Sequence, residues 1–311
     1  MRRWLRRIGL FLAVLVAALT VASFAYNAAT NGRERPADEL YAGPFVTVDG
    51  TRVAYREWGH RGSPIVLIGG FVEPTWVWRR VGPLLGRSHR VVALDLPPFG
   101  YTQRRGPYTL SRWIDLTRGV SSKLGLVRPL VVGHSLGAAV AAGEALDRSG
   151  AVGGIVLLDG DALPVGGPHW LAHLAIDPFY TSVFRIVTGS DWIVGRALRN
   201  ALGPHPPKQT HAELELWKRP FRVDGTPHAF KQMIEGGVPG LSLRDLGRLR
   251  VPRLVVWGAD DSVDSVSAGR ATARALRSRF VVIPGTGHLS MLVSPRAVAA
   301  AIDREARSIV R

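Results

Sequence analysis

The segment Gly133-His134-Ser135-Leu136-Gly137 decides the predicted fold, because it matches the pattern G-x-S-x-G. It lies between an apolar, strand-like run at 130–132 and an alanine-rich, helical run at 136–148. A strand that turns sharply into a helix strains the central residue, and small residues two positions away relieve the crowding. The pattern therefore predicts that the Ser135 hydroxyl is exposed at the carboxyl edge of a sheet, as a candidate nucleophile.

Around this segment, short strand-like runs alternate with helical patterns, which is typical of a mostly parallel sheet with helices on both faces. The expected strands are 45–48, 52–58, 64–68, 91–96, 130–132, 154–158, 253–257 and 280–283. The first two form a hairpin through Asp49-Gly50. From about 162 to 249, aromatic residues stand among prolines and glycines without a clear strand. We expect a helical cap insertion there.

The N-terminus predicts a transmembrane or signal helix. Four arginines within residues 1–7 precede an uncharged apolar stretch at 8–25. A helix of about 18 residues spans roughly 27 Å, close to the thickness of a hydrocarbon core. Two interpretations stay open, an uncleaved signal anchor and a secretory signal peptide cleaved near Ser23 or Ala25. Both leave the arginines in the cytoplasm and the remaining chain outside it.

These patterns divide the chain into four parts. Residues 1–7 are a basic cytoplasmic region, 8–25 the signal anchor, 26–42 a polar linker, and 43–311 the folded domain with its cap. The expected location is the cell membrane, with one pass and the folded domain outside the cytoplasm. The alternative is secretion after signal cleavage.

Composition narrows the classes of function. The chain of 311 residues has 46% hydrophobic and 21% charged residues, as a folded globular protein does. It has no cysteine, so disulfides, thiolate metal sites and cysteine nucleophiles are excluded. The net charge of +16 comes mainly from scattered arginines, which favours anionic lipid and predicts no nucleic-acid partner. No dinucleotide fingerprint, phosphate loop or metal-ligand spacing occurs, so we expect no cofactor.

A serine hydroxyl needs a general base and an orienting acid to act as a nucleophile. His288 follows the last expected strand in the glycine-rich loop 284–288, which returns it to the edge that holds Ser135. We predict that His288 is the base.

The predicted acid is Asp261, at the end of the penultimate expected strand. Asp260 and Asp264 are near alternatives, and Asp159 is a further one because it follows the strand 154–158. The order Ser, Asp, His along the chain is the one expected when the serine lies in a G-x-S-x-G turn.

A developing oxyanion needs two backbone N–H donors. One should be Leu136, directly after the nucleophile, and the other Phe71, in the loop that follows the strand 64–68. The aromatic residues of the cap, Trp170 among them, and Trp76 near the oxyanion loop suggest contacts with an apolar acyl or aromatic group. Packing inside the cap is the competing explanation for these aromatics.

Together, these residues resemble the α/β-hydrolase superfamily, in its serine-nucleophile, cap-containing branch, from about residue 45 to the C-terminus. Asp95-Leu96-Pro97-Pro98-Phe99-Gly100-Tyr101-Thr102 is similar to the family's D-x-P-G-x-G-x-S segment, and 65–71 is similar to its oxyanion strand and loop. The resemblance implies an eight-stranded, mostly parallel sheet and a triad of Ser135, Asp261 and His288. Three positions depart from the family pattern: Gly69 stands for a usual histidine, Pro98 for a glycine, and Val293 for an acidic residue.

The expected function is that of a membrane-anchored or exported serine hydrolase of the carboxylesterase or lipase type. It would cleave a small-molecule ester of an apolar acyl or aromatic group through an acyl-enzyme on Ser135. The alternatives are a carbon–carbon bond hydrolase or perhydrolase with the same triad, and a non-catalytic, membrane-tethered binding protein. The sequence sets no oligomeric state.

Overall fold

The computed structural model describes residues 2–147, 150–165 and 175–309. Its strands are β1 (Phe45–Val48), β2 (Thr51–Trp58), β3 (Pro64–Ile68), β4 (Arg90–Leu94), β5 (Leu130–His134), β6 (Gly154–Leu158), β7 (Arg253–Gly258) and β8 (Arg279–Ile283). They form one eight-stranded sheet in the order β1-β2-β4-β3-β5-β6-β7-β8. β2 is antiparallel to both neighbours, and the pairs from β4 to β8 are all parallel. The predicted mostly parallel sheet of eight strands is confirmed.

Helices surround the sheet. They are α1 (Arg2–Asn31), α2 (Ala37–Leu40), α3 (Gly82–Leu85), α4 (Leu110–Lys123), α5 (Leu136–Asp147), α6 (Phe179–Gly189), α7 (Asp191–Leu202), α8 (His211–Lys218), α9 (Thr226–Gly236), α10 (Leu243–Leu246), α11 (Val266–Leu276), α12 (Ser290–Val293) and α13 (Pro295–Ile309). The cap helices α6 to α9 lie between β6 and β7, in the interval where the sequence suggests an insertion.

The core consists of two apolar layers, one on each face of the sheet. Along β3, Val66 and Ile68 face the layer that contains α4 and α5, whereas Ile65 and Leu67 face the layer that contains α13. Neighbouring residues of a strand point to opposite faces, so a strand buried on both faces is continuously apolar. This burial explains why the central strands are runs of valine, isoleucine and leucine.

The N-terminal helix is longer than the expected span 8–25. α1 continues to Asn31 because its last two turns contact α6, where Arg185 donates to the Asn27 carbonyl at 2.8 Å and to Thr30 Oγ1 at 3.0 Å. Residues 37–40 are also helical, and Tyr41 is buried. Parts of the predicted polar linker 26–42 thus contact the domain, although most of its residues are exposed. α1 itself is long and apolar enough to cross a membrane.

Candidate active site

The nucleophile turn lies at the carboxyl end of β5. Ser135 has a φ of 50°, in the left-handed region, and its N–H donates to the Leu158 carbonyl at 3.0 Å. A Cβ on Gly133 would lie 2.0 Å from the Gly137 carbonyl oxygen, and one on Gly137 would lie 2.7 Å from the Gly69 carbonyl oxygen. Both glycines are thus required by close backbone approach, and the turn exposes the Ser135 side chain between strand and helix.

Three side chains from different strand ends form one hydrogen-bonded series. His288 Nε2 lies 2.9 Å from Ser135 Oγ, and His288 Nδ1 lies 2.8 Å from Asp261 Oδ2. The Asp261 side chain is fully buried, and its other oxygen accepts the N–H groups of Val263 and Asp264 at 2.9 Å each. These bonds fix the carboxylate, which in turn orients the imidazole toward the hydroxyl.

The other candidate acids lie elsewhere. Asp260 is exposed, and Asp264 borders the cavity beside Ser135. Asp159 is fully buried and accepts hydrogen bonds from the Gly258 N–H at 2.6 Å and from Ser290 Oγ at 2.5 Å. Among the described residues, Asp261 is the carboxylate that is hydrogen-bonded to the His288 ring.

The loop after β3 approaches the nucleophile closely. A Cβ on Gly70 would lie 2.7 Å from Ser135 Cβ, so only glycine fits there. The Gly70 N–H donates to Glu73 Oε2 at 2.7 Å and is therefore already engaged. Phe71, the next residue, and Leu136, at the start of α5, both border the cavity beside Ser135. The N–H groups of a helix's first turn have no partner within the helix, which leaves that of Leu136 free for a ligand.

A buried charged cluster is hydrogen-bonded to this loop. His134 Nδ1 lies 2.8 Å from Glu73 Oε2, and His134 Nε2 lies 2.7 Å from the His288 carbonyl oxygen. A carbonyl accepts only, and Glu73 Oε2 also accepts from Gly70, so both His134 nitrogens act as donors. The imidazolium thereby connects the oxyanion loop to the backbone of the proposed base.

Burial and neighbouring charges together shift the pKa values of the ionisable groups in and beside this cluster. Burial lowers the pKa of His134, but the Glu73 and Asp159 carboxylates outweigh burial and raise this pKa to about 9. Burial raises the pKa of Asp159 to about 6, against the opposing effect of His134. Burial and the carboxylates of Asp161 and Asp261 raise the pKa of Asp264 to about 6 as well. His134 is accordingly a cation at neutral pH.

A mainly apolar cavity of about 290 Å³ adjoins Ser135. Its polar side chains are Ser135, Asp161 and Asp264. The rest of the lining is Phe71, Leu136, Ala139, Gly160, Ala162, Leu163, Val165, Val238 and Pro239. A cavity of this kind suits an apolar group attached to the atom that Ser135 attacks. Within the described ranges, no group of three or more His, Asp or Glu side chains is arranged to hold a metal ion.

Trp76, one of the two tryptophans predicted to contact substrate, does not line this cavity. Trp76 is only 8% exposed, packs edge-on against Trp217 at 5.4 Å between ring centroids, and carries the Arg79 guanidinium 3.6 Å from its ring centre. Trp76 instead lines a separate cavity of about 600 Å³, together with Tyr41 and Tyr101, so its contact with substrate stays a prediction. Trp170 lies outside the described residues.

Glu73 and His134 were not among the predicted site residues. Glu73 is an isolated carboxylate in the otherwise apolar segment 64–78, which is the one signal that marks it. Its partner His134 is 61 positions away, so the pair becomes visible only once β3 and β5 lie side by side.

Comparison with known proteins agrees with the geometry. The model of the alpha/beta hydrolase family matches residues 65–301. An uncharacterised hydrolase of Bacillus subtilis is 27% identical over 251 residues, 78% of this chain and 90% of that protein. The 2-hydroxy-6-oxo-6-(2'-aminophenyl)hexa-2,4-dienoic acid hydrolase of Metapseudomonas resinovorans is 26% identical over 272 residues, 84% of this chain and 90% of that protein.

A solved structure of a membrane phospholipase A, a bacterial virulence factor, has the same fold. Its TM-score is 0.71 at 24% identity, and the match covers 100% of both chains. The sheet, the strand-end residues and the family match over most of the chain lead to one assignment. The chain is an enzyme that belongs to the alpha/beta hydrolase family.

Proposed function

We propose that the enzyme is a membrane-attached serine esterase that cleaves an ester of an apolar acyl group through an acyl-enzyme on Ser135. The observation that carries this proposal is the hydrogen-bonded series from Asp261 through His288 to Ser135, with donor–acceptor distances of 2.8 and 2.9 Å. A hydroxyl in that setting is activated by its neighbouring base, which is the arrangement that acyl transfer needs.

Acylation begins when Ser135 Oγ attacks the ester carbonyl carbon and His288 Nε2 takes the hydroxyl proton. The backbone N–H groups of Leu136 and Phe71 hold the negative charge on the tetrahedral oxygen. The intermediate collapses, the bond to the alcohol oxygen breaks, and His288 gives its proton to that oxygen. Asp261 stabilises the transient imidazolium throughout.

Deacylation repeats these steps with water. His288 takes a proton from water as the water oxygen attacks the acyl carbon, and the second tetrahedral intermediate forms in the same oxyanion site. Its collapse breaks the bond to Ser135 Oγ, to which His288 returns the proton. The free carboxylic acid leaves and the hydroxyl is restored.

The cavity beside Ser135 suggests the size of the acyl group. At about 290 Å³ it lies at the small end of ligand pockets. Its apolar walls, including Leu163, Val165 and Val238, favour a short or medium acyl chain over a polar one. An acyl group of this class is the substrate feature that we propose.

For the location, we propose that α1 is an uncleaved membrane anchor. Its apolar surface is exposed to solvent along the whole candidate span, which is unfavourable outside a membrane. Its C-terminal end is held by α6, so anchor and catalytic domain are attached without a free linker. The basic residues 1–7 favour a cytoplasmic N-terminus and a catalytic domain on the other side.

Carbon–carbon bond hydrolysis is the second candidate. It is favoured by the similarity to the hexadienoic acid hydrolase of Metapseudomonas resinovorans over 84% of the chain. The same serine, histidine and aspartate would serve that reaction, but its substrate carries a carboxylate. Asp161 and Asp264 in the cavity wall disfavour such an anion, so we place this candidate second.

The proposal is tested with a fluorophosphonate probe, which phosphonylates activated serines. The full chain should be labelled stoichiometrically, and Ser135→Ala should not be labelled. Ser290→Ala is a matched control, because Ser290 is buried and bonded to Asp159. Absence of labelling in a folded wild-type chain would favour the non-catalytic binding protein instead.

A further inference from the structure

The cap helix α6 presents three different faces. Phe184 packs inside the cap, with its ring 5.9 Å from that of Phe221 and 5.3 Å from that of Phe230. Ser182 and Arg185 face α1. The third face consists of Val183, Ile186 and Val187, which are 58%, 50% and 40% exposed. These three follow the spacing i, i+3, i+4, so they form one apolar stripe along the helix.

The contact between α6 and α1 is specific. Ser182 Oγ lies 3.2 Å from Asn27 Oδ1, and Asn27 Nδ2 donates to the Pro178 carbonyl at 2.9 Å. Arg185 donates to the Asn27 carbonyl and to Thr30 Oγ1, and it pairs with Glu34 at 2.5 Å. α6 is thus fixed beside the last turns of α1, directly after the apolar run 8–25.

That position sets the depth of α6 relative to a bilayer. If residues 8–25 occupy the hydrocarbon layer, Asn27 and Thr30 lie at its boundary, because a helix rises about 1.5 Å per residue. An apolar helix face at this boundary is buried about 5–10 Å into the headgroup and acyl region. The exposed stripe of α6 is therefore at the level where lipid would cover it.

The neighbouring helix α7 carries the side chains expected at such a boundary. Trp192, in its first turn, is 74% exposed, and Arg196 and Arg199 are exposed one and two turns later. Tryptophan is enriched at membrane–water interfaces, and arginine near the surface is attracted by lipid phosphate. Ile176, just before α6, adds a further side chain that is 62% exposed.

We propose that the cap stripe, defined as Ile176, Val183, Ile186, Val187 and Trp192, is a second membrane contact seated in the lipid bilayer that α1 crosses. This inference rests on the proposed anchoring by α1. The occupant is the bilayer itself, because α6, which carries three of the five stripe residues, is hydrogen-bonded to the end of α1 that follows the apolar run 8–25. The two contacts together fix the orientation of the enzyme on the membrane.

The same geometry brings the catalytic site close to lipid. The C-terminal end of α7 accepts backbone hydrogen bonds from both neighbours of His288: Gly287 donates to the Leu202 carbonyl and Leu289 to the Ala201 carbonyl, each at 3.1 Å. From Trp192 to Leu202 the helix rises about 15 Å. The distance between an ester at the bilayer surface and the catalytic residues is therefore about the length of this part of α7. This short distance favours esters that reside in the membrane as substrates.

The test uses the absence of cysteine in the chain. Single variants Ile186→Cys, Trp192→Cys, Val16→Cys and Val127→Cys are labelled with the fluorophore NBD in the full chain. Each is reconstituted into phosphatidylcholine–phosphatidylglycerol vesicles containing lipids with a doxyl quencher near the headgroup or deep in the chain. Val16 reports on α1. Val127 is the matched control, because its side chain is 77% exposed and it precedes β5, at the amino ends of the parallel strands and away from the cap. Circular dichroism of each variant verifies that it is folded.

The proposal expects about twofold or greater quenching at positions 186 and 192 by the shallow quencher, deep quenching at 16, and none at 127. Quenching at 16 with none at 186 and 192 would overturn the cap contact while the anchor stands. No quenching at 16, 186 or 192 would overturn both. Quenching at 186 and 192 but not at 16 would overturn the anchor and, with it, the proposal of a second contact beside a membrane-crossing α1. Energy transfer between labelled copies at 186, without lipid quenching, would replace the bilayer by a second copy of the chain.

Discussion

At the residue scale, two neighbouring imidazoles have different partners and different roles. The ring centroids of His134 and His288 are 4.9 Å apart. His134 lies between acceptors and is held as a cation, whereas His288 lies between a carboxylate and a hydroxyl. The first ring supports the loops, and we propose that the second transfers protons. Both depend on carboxylates that burial isolates from water.

The buried cation predicts how stability depends on pH. The pKa of His134 is raised to about 9 from an ordinary value near 6.5. Its stabilising contribution is therefore complete below about pH 6.5 and is lost as the pH rises through about 9. Thermal unfolding followed by circular dichroism should show a Tm that falls by a few degrees over this interval, on the order expected for a change of one or more kcal/mol.

Glu73→Gln should flatten this dependence, because the carboxylate that holds the His134 proton is removed while the side chain keeps its shape. Asp224→Asn is the control, since Asp224 is exposed and distant in sequence from the cluster. If the Tm of Glu73→Gln falls by as much as that of the wild type between pH 6.5 and 9, His134 is not the titrating group.

Asp261→Asn should lower kcat by about 10⁴-fold, because the amide cannot hold the imidazole in the required tautomer or stabilise its charge. Asp264→Asn, three positions on, should lower kcat by less than about tenfold, since Asp264 lies in the cavity wall and does not contact the His288 ring. Steady-state hydrolysis of a soluble ester measures both. Equal losses in the two variants would remove Asp261 from its assigned role.

At the element scale, the candidate site is assembled from loops that follow parallel strands. β5, β7 and β8 each end at the same edge, so Ser135, Asp261 and His288 meet although they are far apart in sequence. The strands were predictable because burial on both faces makes them runs of branched apolar residues. The glycine-flanked serine was predictable because its turn needs small neighbours.

The supporting contacts were not predictable from local pattern. Whether Glu73 is a surface residue or a buried ligand of His134 depends on a strand pairing that no short window contains. Trp76 is a similar case. An aromatic residue near the oxyanion loop fits a binding site and a packed core equally well, and its packing against Trp217 becomes visible only in the folded chain.

Gly160→Ala should disturb the nucleophile turn from a neighbouring loop. A Cβ at position 160 would lie 2.4 Å from the Ser135 carbonyl oxygen and 2.7 Å from its Cα, both backbone atoms that must shift. A displacement of about 1 Å at a reacting group costs roughly 10²-fold in rate, so kcat/KM should fall by about that factor.

Gly236→Ala is the matched control, because a Cβ there meets no atom within 4 Å. Its ester hydrolysis should stay within about twofold of wild type. Full activity in Gly160→Ala would show that the turn tolerates movement of the loop after β6.

At the scale of the whole molecule, the N-terminal helix and the cap behave as one assembly. Arg35 donates its N–H to the Arg222 carbonyl at 2.8 Å, and Asp224 donates to the Arg35 carbonyl at 3.0 Å. The polar composition of 26–42 predicts a linker because the sequence alone does not show which of these residues contact the cap. The helices α6 to α9 lie in the interval 162–249, whose aromatic composition without a clear strand pattern differs from the alternating pattern on either side.

This assembly predicts that two truncations differ. A form starting at Ser23 keeps the partners of Arg185 and should match the detergent-solubilised full chain in Tm. A form starting at Pro36 loses Asn27, Thr30 and Glu34, which are the hydrogen-bond partners of the largely buried Arg185 guanidinium, and exposes this group to water. The lost hydrogen bonds to a charged group are worth about 1.5–3 kcal/mol, so Tm should fall by several degrees. Equal Tm values would mean that α1 contributes nothing to the fold of the cap.

The central claim is acyl transfer on Ser135, and ester hydrolysis tests it most directly. The full chain in detergent and its Ser135→Ala variant are assayed with p-nitrophenyl esters from acetate to palmitate. We predict turnover by the wild type with an optimum at a short or medium chain length, and a loss of at least about 10⁴-fold in the variant. Equal turnover by a folded Ser135→Ala variant, or none by a folded wild type across the whole series, would contradict this account.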